Sequence, residues 1–161
     1  MSSWQALDAQ AWQAHPLNRF RGGMLAVLGW ISVQSLLALL IVVVLASNPD
    51  GLFDLRIPAA YNWVQWVFLA AGPPLVLGLL LMRRAVGAVL YLVYFCGALA
   101  FPFIAEHWAP FLSAAETYRT GQGRFRAALF LIFTLIDIAA LLYLFRAERA
   151  NVILRRRARR A

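Results

Sequence analysis

The chain has 161 residues, 63% hydrophobic and 14% charged, where a soluble domain carries roughly 45–50% and about 25%. The excess lies in residues 24–46, 63–82, 85–105 and 125–146, each close to the ~20 residues that take a helix across a bilayer's hydrocarbon core. A net charge of +8 comes from fifteen arginines and no lysine, and because most flank those stretches they read as membrane-topology signals and exclude a nucleic-acid surface.

The leader, residues 1–23, opens with Ser2 and Ser3 as candidate helix N-caps. Trp4, Leu7 and Ala11 follow at helical spacing with Trp12 beside them. Two readings fit: a short helix lying in the membrane interface, where Trp is favoured, or a loosely ordered tail with two interfacial tryptophans. His15 and Pro16 end any such helix. The first span has 23 residues, far longer than the roughly 7–15 of a signal-peptide core, so it is expected to stay as an anchor.

Ser47, Asn48, Pro49, Asp50 and Gly51 stop the first span as a turn. Tyr61, Trp63 and Trp66 form an aromatic belt where the chain re-enters the bilayer. Gly72, Pro73 and Pro74 are expected to break the second span, since each proline removes a donor from the helical ladder. Arg83 and Arg84 are the whole connection to the third span, which predicts a tight antiparallel hairpin. In the third span Gly87, Tyr91, Tyr94 and Ala98 share one face, a pattern of close helix contact. A short surface helix is expected from Pro110 to about Arg119. The fourth span should continue as helix through the basic tail, residues 147–161, because Ala, Glu and Arg favour helix.

With the N-terminus inside, eleven arginines lie on the inner side and four on the outer. The positive-inside rule therefore predicts both termini in the cytoplasm. The single cysteine, Cys96, excludes an internal disulfide and the paired-cysteine chemistry of membrane disulfide oxidases. It reads as a small packing residue.

Asp137 carries the most weight. An aspartate at mid-span costs roughly 2.5–3.5 kcal/mol on insertion scales, so it should face other helices. Counting depth along alternating spans puts Gln34, Ser35, Pro73, Pro74, Tyr94 and Cys96 near the same plane. The expectation is a midplane polar cluster of Gln34, Ser35, Tyr94 and Asp137 around a broken second helix, with a protonated Asp137 donating to Gln34 or to a carbonyl freed by Pro73 or Pro74. Such a cluster either moves a proton or substrate, or pins the bundle. With no intramembrane Lys, Arg or His beside Asp137, the structural role leads. Glu106 and His107 are adjacent, but two residues do not make a metal site. The tail arginines Arg155, Arg156, Arg157, Arg159 and Arg160 hold the C-terminus inside and can meet anionic lipid headgroups. No hydrolase, nucleotide-binding or metalloprotease motif occurs, and no cofactor is expected.

Tyr143, Leu144, Phe145, Arg146, Ala147, Glu148, Arg149, Ala150 and Asn151 form an aromatic helix exit followed by a charged run. Together with Gly22 and Gly23 at the head of the first span, this resembles the YdgK-like group of small bacterial inner-membrane proteins. Met24 stands where that group usually has Trp, and Ala147 where it has Ser. The resemblance implies four membrane helices and brings no activity or catalytic residue.

The expected protein is thus all-α: a polytopic membrane protein of one integral domain, residues 1–161, with four transmembrane helices and cytoplasmic termini. Arg-only, Ala-rich usage suggests a GC-rich bacterium and its inner membrane. The expected function is that of a non-enzymatic accessory or scaffold subunit of a larger complex. The alternative is a small oligomeric transporter or channel built on Asp137.

Overall fold

A computed structural model describes residues 4–47, 58–108 and 121–159 of the chain. The expected loop turn at Asn48–Gly51 and the surface helix after Pro110 lie outside these residues, as do Ser2, Ser3 and Arg160. Six helices and two short strands are described: β1 (Trp4–Ala6), α1 (Ala9–Ala14), α2 (Gly23–Ser47), α3 (Ala59–Leu81), α4 (Val86–Trp108), α5 (Gly121–Arg146), α6 (Glu148–Arg155) and β2 (Arg157–Arg159).

Three helices are long and apolar enough to cross a membrane: Gly23–Val44 within α2, Ala59–Leu81, and Ala128–Arg146 within α5. Val86–Phe101 of α4 is a shorter apolar stretch among the described residues. Only 28% of the most apolar part of α2, and 17% of that in α3 and in α5, is buried within the protein. Leu36, Leu40 and Val43 of α2, Val64 and Val67 of α3, and Leu131 and Leu135 of α5 all stand exposed. Water would not tolerate that much contiguous apolar surface, whereas lipid requires it.

α3 packs between α2 and α4, and α5 closes the group along a narrower front against α4 and α2. The buried core gathers toward one end of the bundle. It joins Met24, Val27, Leu28 and Ile31 of α2 to Val76 and Leu80 of α3, Ala88 and Tyr91 of α4, and Ala140, Leu141 and Leu144 of α5.

The expected break in the second span is absent: α3 runs unbroken through Pro73 and Pro74. Neighbouring packing accounts for this. Pro73 is fully buried, and Gly72 leaves the space that the Tyr94 ring fills, because a Cβ there would overlap that ring. Tyr94 is stacked in turn on Phe68, with centroids 5.5 Å apart. Gly87 admits Leu79 and Leu80 in the same way. The shared face read in span three is therefore a real contact stripe against α3 and α5.

The α3–α4 hairpin is tight, as expected. Arg84 N–H donates to the Leu79 carbonyl and Arg83 N–H to the Leu80 carbonyl, both at 2.9 Å. This is the double cap of a Schellman motif, and it needs a left-handed residue at Arg83, where φ is 56°. Glycine usually takes that position, since a side chain there costs about 1–2 kcal/mol.

The tail departs most from expectation. The helix does not continue past α5. Ala147 is extended, with ψ 136°, and starts α6 in a new direction. A straight helix would carry Val152, Ile153 and Leu154 away from the protein. The turn instead buries all three, with Ile153 and Leu154 joining the core. Arg156 then adopts a left-handed conformation (φ 52°) and β2 pairs antiparallel with β1, Trp4 opposite Arg159 and Ala6 opposite Arg157. The leader likewise begins as a strand rather than a helix, and the short helix that follows is capped by Asp8, whose Oδ1 accepts from Ala11 N–H at 2.7 Å. The chain is mostly helical, as expected, and one small sheet of two three-residue strands is added where β1 meets β2.

Candidate functional site

Asp137 lies on the inward side of α5, and one of its oxygens collects three donors. Trp30 Nε1 donates to Oδ1 at 2.6 Å, Gln34 Nε2 at 2.8 Å and the Tyr91 hydroxyl at 2.5 Å. Helical spacing builds this arrangement. Trp30 and Gln34 are one turn apart on α2, at i and i+4, so both side chains reach the same point. Tyr91 is fully buried on α4 and comes from the other side. The Trp30 ring also meets Phe133 of α5 edge-on, with centroids 5.3 Å apart.

Oδ1 of Asp137 is therefore the acceptor at which the three donors meet. An indole N–H can only donate, so Oδ1 must accept at least that bond. Gln34 joins Asp137 as expected. Ser35 does not, because its hydroxyl donates back to the Ile31 carbonyl of its own helix at 2.8 Å. Tyr94 makes no hydrogen bond to Asp137. It lines a cavity of ≈ 240 Å³ that begins at Asp137 and Gln34 and extends between the helices toward Phe130 and Ile41. Within that region Gln34 Oε1 is buried and has no hydrogen-bond partner. Thr134 is the other polar residue of the lining, which is otherwise apolar. Cys96, read as a small packing residue, is exposed on α4.

Trp30 and Tyr91 are the members that depth counting missed. Both carried a signal. Trp30 sits one turn before Gln34, and Tyr91 one turn before Tyr94 on the stripe already noted.

The second gathering of polar groups is the cap formed by leader and tail. Trp12 of α1 donates from Nε1 to the Val152 carbonyl at 2.7 Å. Its ring lies under two guanidiniums, with Arg83 Cζ 5.5 Å and Arg156 Cζ 4.7 Å from the centroid. Arg83 Nη1 also donates to Asn18 Oδ1 at 2.8 Å, and Asn18 Nδ2 donates to the Trp12 carbonyl at 2.8 Å. Arg149 Nη1 reaches the Arg19 carbonyl at 3.0 Å.

Of the tail arginines expected at lipid headgroups, Arg155 is turned inward. Its Nη1 donates to the Leu144 carbonyl at 2.8 Å, satisfying a carbonyl that α5 leaves free at its end. Burial, and then the nearby Arg157 charge, pull the Arg155 guanidinium below its ordinary pKa. An arginine starts high enough to keep its charge regardless. Arg156 is stacked on Trp12, and Arg157 and Arg159 lie in β2.

Among the described residues no three His, Cys, Asp or Glu side chains gather as a metal site. The side chains of Glu106 and His107 lie outside the described ones. Compared with known proteins, the chain matches no family model, no curated protein and no solved structure.

Proposed function

We propose that this chain is a non-enzymatic integral membrane protein, an accessory or scaffold subunit that packs against a larger complex in a bacterial inner membrane. One observation carries the reading. Asp137, the only acid or base in the apolar parts of the described helices, is held by three donors from two other helices. An acid bound in that way fixes helices against one another; a proton carrier needs a carboxyl that is free to exchange.

The proposal includes four membrane crossings, with α4 as the third. The pairing of β1 with β2 supports it, since paired ends share one side of the membrane and the crossings between them must be even in number. Eleven arginines on the cap side against four on the other support a cytoplasmic cap. Kinship with the YdgK-like group rests on Gly22, Gly23 and the run from Tyr143 to Asn151.

The test is co-purification of the tagged chain from its native membranes in mild detergent, with mass spectrometry. A stoichiometric partner supports the subunit reading, and a lone chain or homo-oligomer counts against it. The second reading, a small oligomeric transporter, draws on the ≈ 240 Å³ cavity beside Asp137 and the unpartnered Gln34 Oε1. Proton or solute flux in proteoliposomes that disappears in Asp137→Asn would favour it.

A further inference from the structure

Arg83, Arg84 and Arg156 line one concavity of ≈ 250 Å³, walled by Trp12 and Met82. The Trp12 N–H is already committed to Val152, so the indole serves as a platform and offers no donor. Each guanidinium carries five N–H donors in a planar fork suited to phosphate oxygens. Arg83 uses Nη1 on Asn18 and keeps its others.

Two further observations converge here. Arg83 and Arg156 are the non-glycine residues with positive φ among the described residues. Each follows a helix C-terminus, where glycine is the unstrained choice, and both line this same concavity. Strained backbone held in place by its surroundings is a mark of functional sites. The second observation is charge. The described cap holds ten arginines against two carboxylates, Asp8 and Glu148. Asp8 caps α1, and neither acid lines the concavity. The Arg83 and Arg156 guanidiniums, facing the same ring, lie within about 10 Å of each other, and no acid in the lining neutralises them.

We propose that this concavity binds a phosphate group. Arg84 and Arg156 grip it, Arg83 supports it from the leader side, and Trp12 forms the wall. The site sits where α3 ends and α4 begins, at the edge of the apolar bundle. The phosphate can therefore belong to an anionic lipid headgroup or to a soluble compound.

The test uses the full chain in a neutral detergent and follows its thermal unfolding. Inorganic phosphate is compared with chloride at equal ionic strength, and micelles containing phosphatidic acid with micelles containing phosphatidylcholine. The wild type is expected to unfold at higher temperature with at least one of the two anions. Stabilisation by inorganic phosphate identifies a soluble source, and stabilisation by phosphatidic acid alone identifies a headgroup. Arg84 is exposed, so Arg84→Gln should fold normally and weaken the response roughly tenfold in apparent affinity. Arg84→Lys should retain most of it. Arg157→Gln removes the same charge outside the concavity and should respond as wild type. No response to either anion in the wild type, or equal weakening by Arg157→Gln and Arg84→Gln, would overturn the assignment.

Discussion

The Tyr91 hydroxyl and the Asp137 carboxyl, on α4 and α5, meet at 2.5 Å in a bundle where α5 otherwise touches its neighbours along a narrow front. Lipid gives little drive for apolar helices to associate, so a few polar contacts weigh heavily in keeping such a helix in place. The Tyr91 bond, with those from Trp30 and Gln34, makes Asp137 the main register point for α5.

Replacing Asp137 should therefore separate shape from bonding. Asp137→Asn keeps an acceptor oxygen for Trp30 and Tyr91 and should be mild. Asp137→Leu leaves three donors without an acceptor and should destabilise the fold by about 2 kcal/mol or more. Reversible unfolding in mixed micelles measures both, and a Leu variant as stable as wild type would end the pinning argument.

Gly72 and Gly78 lie on the same helix with opposite surroundings. A Cβ at Gly72 would overlap the Tyr94 ring, whereas nothing lies within 4 Å of one at Gly78. Gly72→Ala should cost about 1–3 kcal/mol through overpacking, while Gly78→Ala should stabilise by up to about 1 kcal/mol through helix propensity. In the double variant Gly72→Ala/Tyr94→Ala the clash is gone, so its loss should be well below the sum of the singles. Additive losses would contradict the packing described.

Trp12 ties the leader to the tail. Trp12→Phe keeps a ring for Arg83 and Arg156 but removes the donor to Val152. Trp12→Ala removes both. Limited proteolysis should show cleavage in residues 4–20 and 148–159 rising slightly in the first variant and strongly in the second, with the long helices still protected. Equal resistance in Trp12→Ala and wild type would show that the cap is held by something else.

Arg83 carries two opposing effects, a strained backbone and a clamp on Asn18, Trp12 and Phe20. Both Arg83→Ala and Arg83→Gly lose the clamp, but only Gly relaxes at φ 56°. The Gly variant should be more stable than the Ala variant by about 1 kcal/mol. Thermal unfolding of the pair checks this, and identical midpoints would remove the strain.

The long apolar helices and the inward placement of Asp137 were legible because both signals are local: run length in one case, a lone charge in the other. Gln34 followed from depth counting, which works along a span axis. It fails around the axis. Ser35 has the right depth but turns its hydroxyl to Ile31, while Tyr91 lies a turn away from the counted midpoint and reaches Asp137 nonetheless. Helical spacing from Gln34 and Tyr94 would have pointed to Trp30 and Tyr91. The cap was hidden for a different reason. Residues 147–155 favour helix by composition, and the turn at Ala147 is decided by the burial of Val152, Ile153 and Leu154, the last two in the core that holds Met24 and Leu144. Pairing Trp4 with Arg159 depends on contacts almost a chain length apart, which no local pattern announces. Pro73 and Pro74 misled because a proline predicts a lost hydrogen bond, whereas Gly72 and Tyr94 supply the packing that keeps α3 continuous.

The β1–β2 pairing also sets an order of events during synthesis. A ribosome adding about 5–20 residues per second needs on the order of ten seconds to travel from one strand to the other. Throughout that interval Trp4, Gln5, Ala6 and the Trp12 ring have no tail to meet, while the long apolar helices α2, α3 and α5 are being made. Among the described contacts the cap is therefore the last to close, and the leader waits for a partner that is still being made.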